Sequence, residues 1–367
     1  MDFQFRNVFN AQVVNALAEN IAKNYSDFDQ KNFCESINPF LENLGFGERS
    51  ALITDKLHEF LPKEYPKAID ILLKSLMPEI EADTLAGFDR FIVMPQCSFV
   101  SRYGKNHYDL SMHALYEMTK RFTAEGDLRT FIELDVQKTL QILEKWAFDP
   151  NPHVRRLVSE GTRPRLPLGK RIKLFQEDPT PVLHLLDLLK DDKVLYVRRS
   201  VANNLNDIAK DNPEKVVDTL KKWQKNATPE REWLIRHASR TLLKDGNKGA
   251  LALQGFGEKP EIKLDFKILT PNLRQGEELI FEIHIEALSE QALMIDYIVD
   301  FVKAKGNTSP KVFKLTKKNL KKGEKISLLK KHSFRPIGIR PYYAGKHGLC
   351  LQINGQIYEK YYFELLP

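Results

Sequence analysis

Residues 153–167, HVRRLVSEGTRPRLP, and residues 196–210, YVRRSVANNLNDIAK, decide how the first two thirds of this 367-residue chain fold. Set beside each other, His153-Val154-Arg155-Arg156, Tyr196-Val197-Arg198-Arg199 and Leu234-Ile235-Arg236-His237 recur with their β-branched positions 43 and 38 residues apart. Each tetrapeptide stands near the start of an amphipathic stretch that follows an acidic or proline-containing turn, such as Asp149-Pro150-Asn151-Pro152 or Lys190-Asp191-Asp192. A period of about 40 residues with one helix pair per unit is the signature of a HEAT-like α-solenoid. Stacked units repeat equivalent residues along one face, so this array carries a ladder of arginines.

Outward from that core the apolar spacing stays helical. Residues 131–146, FIELDVQKTLQILEKW, place Leu134, Val136, Leu140, Ile142, Leu143 and Trp146 close to one stripe and predict a single helix. Between 246 and 260 the run GNKGALALQGFGEKP carries Gly246, Gly249, Gly255 and Gly257 and marks a boundary. Beyond it the period falls to 2. Ile262, Leu264, Phe266 and Ile268 alternate with polar residues, as do Leu279, Phe281, Ile283 and Ile285, then Ile295, Tyr297, Val299 and Phe301. Asn354-Gly355 is a two-residue hairpin signal. About seven short strands over the last ~105 residues predict an immunoglobulin-like β-sandwich without the Cys-Trp-Cys core. The fold class expected is therefore mainly α plus a β domain: a helical-repeat domain over 1–250, a linker over 251–260 and a basic sandwich over 261–367.

Composition narrows the function. Hydrophobic residues at 42% and charged residues at 29% describe an ordinary globular chain and exclude long disorder. No apolar run approaches the ~18 residues of a membrane span. The opening MDFQFRNVFNAQVVNALAEN has neither a basic n-region nor an apolar h-region, which predicts a cytoplasmic protein. Cys34, Cys97 and Cys350 are isolated and form no CxxC pair, the nine histidines make no HExxH, and no GxxxxGK loop occurs. Neither a metal nor a nucleotide cofactor is expected.

Charge is divided unevenly. Residues 1–150 hold 16 Lys and Arg against 23 Asp and Glu, residues 151–246 hold 20 against 13, and residues 260–367 hold 18 against 12. An acidic start followed by a basic middle and end predicts a polyanionic partner. Arg155, Arg156, Arg163 and Arg165 gather around Glu160, while the next repeat adds Arg198, Arg199, Asn203, Asn204 and Asp207. The bland reading is a solvated face of ion pairs; the sharper one is a set of guanidiniums for phosphates. Arg236 and Arg240 extend the ladder. A carboxylate on such a surface repels its ligand, and catalysis in which positive charge develops on a sugar, as in glycosidic cleavage, would compensate. A base made cationic by alkylation leaves without a general acid.

Between Lys303 and Lys331 the chain has eleven lysines and one acid, Glu324. Lysine protects sheet edges, but this density exceeds that need, and Lys317, Lys318, Lys321 and Lys322 are expected as loop contacts to phosphates. Trp223 and Trp233 are expected in the core, His153 at a helix cap or a phosphate, and Cys34 and Cys97 as inert thiols in apolar surroundings.

The segments RYGKNHYDLSMHALYEMTKRFTAE (102–125), HVRRLVSEGTRPRLP and YVRRSVANNLNDIAK resemble the AlkC family of bacterial DNA alkylation-repair glycosylases, over most of 85–246, and the β-rich tail resembles the immunoglobulin-like domain of one of its subgroups. The resemblance implies a HEAT-like surface that bends duplex DNA and hydrolyses the N-glycosidic bond of N3-alkylated bases, especially 3-methyladenine and 3-methylcytosine; the N7-alkylated 7-methylguanine, also cationic, is a further candidate. It also implies a monofunctional reaction that leaves an abasic site. A duplex clamp of two domains in one chain needs no partner subunit, so a monomer without an obligate protein partner is expected, nucleoid-associated through DNA binding. Position by position, it makes Glu125, Glu160 and Asp207 the catalytic candidates. Two departures stand out. Gly126-Asp127-Leu128-Arg129-Thr130-Phe131 replaces the usual FAIRPF, and Leu168 replaces the tryptophan expected in the lesion pocket, which could hold a cationic base by its π face. A DNA-binding solenoid without catalysis is the alternative reading, and a protein-binding scaffold a third.

Overall fold

The computed structural model describes residues 4–81, 87–336 and 341–366. Two compact units divide it: Met1–Asn212 with Thr228–Ala238, and Pro213–Ala227 with Ser239–Pro367.

In the first unit the helices Pro152–Gly161, Leu195–Ile208 and Pro229–Ala238 carry the three repeat motifs. Asn151 starts the first of them, its side chain accepting from the His153 amide at 2.9 Å, with Pro152 at the first helical position, where no N–H partner is lost. Val154, Val197 and Ile235, the equivalent β-branched positions, are all buried and form the spine of the stack. The acidic turn at 191–192 ties three repeats together. Asp192 receives Arg155 from the repeat before at 2.5 and 3.1 Å, and Asp191 receives Arg231 from the repeat after at 2.6 Å.

One sequence expectation fails locally. The stripe over 131–146 is two helices, Leu128–Leu134 and Val136–Trp146, broken at Asp135 in an extended conformation. The Asp135 carboxylate caps the second helix by accepting from the Lys138 amide at 3.0 Å, and Leu134 is left exposed. Local competition by a short acidic side chain outweighs apolar periodicity here.

The second unit carries the strands β1 (Ile262–Ile268), β2 (Asn272–Arg274), β3 (Glu278–Ala287), β4 (Gln291–Val302), β5 (Thr308–Leu320), β6 (Lys325–Ser333), β7 (Gly345–Ile353), β8 (Gln356–Ile357) and β9 (Tyr361–Leu366). One sheet runs β1-β3-β6, and the other runs β2-β9-β7-β4-β5 with β8 on β7. Phe281, Ile283, Ile285, Ile295, Tyr297, Val299, Leu351 and Phe363 fill the core from both sheets, the sandwich that period-2 alternation predicts. Among the described residues nine strands exceed the seven expected, because β2 and β8 are too short to show alternation. Asn354 and Gly355 have φ of 47° and 78°, as the hairpin signal requires.

The helices Pro213–Gln224, Arg240–Lys244 and Lys248–Leu253 belong to this second unit, so compactness divides the chain elsewhere than at 251–260. Gln352 donates to the Lys244 carbonyl at 3.0 Å, and a Cβ on Gly355 would lie 2.9 Å from the Gly246 Cα. That close approach, with positive φ at both glycines, explains why these two positions of the Gly-rich run lack side chains.

Candidate active site

The three carboxylates expected from the sequence come together in the first unit, threaded on two arginines. Glu125 follows the helix Tyr108–Thr119 in a turn, Glu160 stands in the last turn of Pro152–Gly161, and Asp207 in the last turn of Leu195–Ile208. Arg156 Nη1 donates to Glu125 Oε2 at 2.7 Å, and its Nη2 lies 3.7 Å from Glu160 Oε1. Arg163 Nη1 donates to Glu160 Oε1 at 2.5 Å, while its Nε and Nη2 reach Asp207 Oδ2 at 2.7 and 2.6 Å. Lys210 closes the row on Asp207 Oδ1 at 2.9 Å. Signs alternate along it: Glu125, Arg156, Glu160, Arg163, Asp207, Lys210.

Helical spacing produces this order. Arg156 and Arg163 stand four residues before and three after Glu160, so both reach its side of the helix end. Glu160, Arg163 and Asp207 are buried; Glu125 and Arg156 are partly exposed. The neighbouring carboxylates outweigh desolvation and raise the pKa of Arg156 and of Arg163.

The carboxylates differ in what they have left to offer. Glu160 accepts on both oxygens, from Arg163 and from Ser200 Oγ at 2.5 Å. Asp207 is likewise taken on both. Glu125 accepts from Thr123 Oγ1 and Arg156, both on Oε2, so among the described residues its Oε1 receives no hydrogen bond.

Ser159, Ser200, Tyr196 and Arg129 take part without a role read from the sequence, and Asn204 takes a role between repeats rather than toward a ligand. Ser200 holds Glu160 and lies 3.0 Å from Ser159 Oγ, while Asn204 bonds the Ser159 carbonyl at 2.7 Å, making a polar seam between two repeat helices. The signal was there: Ser159, Ser200 and Asn204 are polar residues on helix faces whose other members are apolar. Tyr196 lies beneath Arg156, whose guanidinium carbon is 4.8 Å from the ring centroid, and burial raises the Tyr196 pKa. Arg129, from the segment that departs from the family pattern, donates to the carbonyls of Gly161, Arg163 and Lys170.

Several expected phosphate contacts are engaged inside the protein. Arg155 is buried on Asp192 and on the carbonyls of Asp149 and Pro150, and Arg198 is buried on the Asp192 carbonyl at 2.6 Å. Arg155 ties two repeats and Arg198 braces the turn that opens its own helix; neither faces solvent. Arg163 belongs to the carboxylate row, and Arg165 forms a bidentate pair with Asp211 at 2.8 and 2.5 Å. Arg199 and Arg236 are exposed, Asn203 is partly exposed, and Arg240 belongs to the second unit. His153 is buried with its ring edge-on to Tyr196 at 5.7 Å, and burial lowers its pKa; it is no phosphate ligand in this arrangement. Leu168 occupies no pocket: it is 98% exposed with φ of 60°, a left-handed conformation costly for leucine. Trp223 is buried as expected, whereas the partly exposed Trp233 stacks on His237 at 5.1 Å.

In the second unit Lys317 and Lys318 stand on β5, opposite Met294 and Leu293 of β4, rather than in a loop, and Lys317 lies over the Phe256 ring at 4.8 Å. Lys321 and Lys322 occupy the β5–β6 turn as expected. Among the described residues no His, Cys, Asp and Glu cluster could hold a metal ion, and no helix is long and apolar enough to cross a membrane.

A HEAT-like helical array followed by an immunoglobulin-like sandwich defines a narrow class of protein, and comparison with known proteins places the chain within it. Residues 263–367 match the family described as uncharacterised protein YhaZ, C-terminal Ig-like domain. The uncharacterized protein YhaZ of Bacillus subtilis strain 168 is 38% identical over 364 residues, 98% of this chain and 99% of that protein. The solved structure of Pseudomonas fluorescens alkylpurine DNA glycosylase AlkC, bound to DNA containing an abasic site analog, superimposes with a TM-score of 0.89 at 34% identity, covering 100% of both chains. The chain belongs to the AlkC family, in the subgroup with a C-terminal immunoglobulin-like domain.

Proposed function

We propose that this protein is a monofunctional DNA glycosylase that removes cationic N-alkylated bases from duplex DNA, with 3-methyladenine as the first substrate to test and 3-methylcytosine and 7-methylguanine next. The observation that carries the reading is the row of carboxylates that only accept hydrogen bonds, with Glu125 keeping one oxygen for an incoming group. Cleavage of an N-glycosidic bond moves positive charge from the base onto the sugar, which becomes oxocarbenium-like. Preoriented carboxylates stabilise that charge, and they matter more where water is excluded. No proton donor is needed when the base is already cationic, because the electron pair of the breaking bond neutralises it on departure. A neutral base lacks that sink, so the same site discriminates in favour of alkylated bases.

Roles follow from what each group has free. Glu125 Oε1 faces the sugar cation or orients the attacking water. Glu160 supplies negative potential from a buried position fixed by Ser200 and Arg163, and Asp207 holds Arg163 in place. Arg199, Arg236 and Asn203 approach the DNA backbone from the helical unit, and Lys317, Lys318, Lys321 and Lys322 from the sandwich; such contacts position a duplex without reading its sequence. Leu168 presents an apolar side chain toward the lesion where a tryptophan would present a π face. The AlkC likeness over both full chains supports the DNA partner.

The test is release of methylated bases from dimethylsulfate-treated duplex DNA by the full chain. Release of 3-methyladenine leaving alkali-labile abasic sites is the expected result. Retained, salt-dependent duplex binding with no base released would replace this reading by that of a DNA-binding helical-repeat protein without catalysis.

A further inference from the structure

Arg129 is 2% exposed and has no carboxylate at hydrogen-bond distance among the described residues. Its guanidinium is held by neutral carbonyls: Nη1 donates to Gly161 O at 3.1 Å and to Arg163 O at 2.8 Å, and Nε donates to Lys170 O at 2.6 Å. A buried guanidinium with no carboxylate hydrogen-bonded to it carries a desolvation cost that three carbonyl bonds offset only in part, so its burial calls for a reason. The location supplies one. Gly161 and Arg163 flank the C-terminal end of the Glu160 helix, where carbonyls lose their helical partners and the dipole is negative. Lys170 lies at the other end of the loop that follows. One planar fork therefore pins both ends of the 162–170 loop, a geometry a point-charge lysine does not reproduce.

Between the pins lie two side chains the site depends on. Arg163 bridges Glu160 and Asp207, and Leu168 is held out to solvent in a left-handed conformation. The neighbour of Arg129 braces the same spot, for a Cβ on Gly161 would meet Leu128 Cδ2 at 2.6 Å. We propose that Arg129 is a positioning residue of this site: by fixing both ends of the 162–170 loop it sets where Arg163 meets Glu160 and Asp207, and where Leu168 is presented to DNA. The kinetic part of this inference rests on the glycosylase reading above; the structural part does not.

Two readouts separate them in Arg129→Ala and Arg129→Lys of the full chain, with methylguanidinium as a rescue agent for the alanine variant. Amide hydrogen exchange is expected to accelerate in residues 162–172 and to stay unchanged in the helix Leu195–Ile208. Single-turnover release from dimethylsulfate-treated duplex is expected to fall roughly 100-fold, the scale of an ångström-level misplacement, with duplex Kd unchanged. Methylguanidinium is expected to restore both protection and rate in Arg129→Ala. Unchanged excision in a folded Arg129→Ala would overturn the proposal, as would exchange that rises across the whole unit with no rescue of either readout. If Arg129→Ala does not fold, Arg129→Lys is judged by the same two readouts, since one ammonium can reach one end of the loop but not both. Should the wild type release no base, the glycosylase reading fails on its own, and exchange in 162–172 alone decides whether Arg129 sets the loop.

Discussion

In the helical unit Arg155, Arg163 and Arg165 end on carboxylates, namely Asp192, Glu160 with Asp207, and Asp211. In the sandwich unit Lys318, Lys321 and Lys322 are exposed, and none has an ion pair among the described residues. The helical unit holds 30 Lys and Arg against 33 Asp and Glu and the second unit 26 against 16, and the settings of their cations differ. The buried Arg155 and Arg163 fix the position and orientation of carboxylates, a role that depends on geometry and is little screened by salt, whereas Arg165 meets Asp211 at the surface. Exposed lysines create a diffuse field that attracts a phosphate backbone and weakens steeply with ionic strength. Residues of the same sign thus stand in opposite settings, one set paired with carboxylates inside the helical unit and the other exposed on the sandwich.

The largest effect expected from breaking this contrast is on stability. Arg163→Met leaves Glu160 and Asp207 buried without their shared partner and should destabilise the helical unit by about 3–5 kcal/mol, read by urea unfolding. A loss below about 1 kcal/mol would mean the row is a solvated ion-pair ladder.

Next in size are two opposite pH slopes. In the helical unit, burial pushes Asp127 up to about 6 despite the hydrogen bond it accepts from Ser101 at 2.6 Å. A raised carboxyl is protonated more readily folded than unfolded, so its contribution is present below about pH 4 and lost as pH rises through about 6. Asp127→Asn should remove that slope and add on the order of 1–3 kcal/mol at neutral pH. In the sandwich, burial pulls His332 down to about 4, beside the Tyr297 hydroxyl that shares a hydrogen bond with its Nδ1 at 2.9 Å. That contribution is present above about pH 6.5 and lost as pH falls through about 4, and His332→Asn should flatten it. Stability curves of the variants and the wild type from pH 3 to 8 check both signs.

The smallest stability effect belongs to Lys318→Ala, Lys321→Ala and Lys322→Ala together, expected within about 0.5 kcal/mol of wild type. The same triple variant should lower the slope of log affinity for duplex against log salt by roughly 3, one for each phosphate that a lysine no longer neutralises. An unchanged slope would remove these lysines from the DNA interface.

The repeat arrays, the period-2 strands and the Asn354-Gly355 turn were legible because each rests on local spacing. Glu125, Glu160 and Asp207 were legible through resemblance, and the structure gathers them into one row. What the sequence concealed lies in contacts between repeats. Arg155 and Asp192 are 37 residues apart, and Arg163 and Asp207 are 44 apart. Helical periodicity places a residue on a face but does not say whether that face is covered, so Arg155 and Arg198 read as phosphate ligands when the first ties two repeats and the second braces its own helix's opening turn. Arg129 was hidden for a related reason: its partners are carbonyls, which leave no trace in side-chain patterns. Asp135 shows the converse, where a local cap broke a helix that apolar spacing had joined.

The central claim is that the Glu125–Arg156–Glu160–Arg163–Asp207 row performs chemistry rather than only joining repeats. Its most direct test is the single-turnover rate of base release from dimethylsulfate-treated duplex by Glu125→Gln and Glu160→Gln beside the wild type, with duplex Kd measured for all three. Removal of one negative charge without a change of shape should slow release by about 10²–10³-fold and leave binding equal or tighter. Rates within a few-fold of wild type, or a loss of rate matched by a loss of binding, would contradict it.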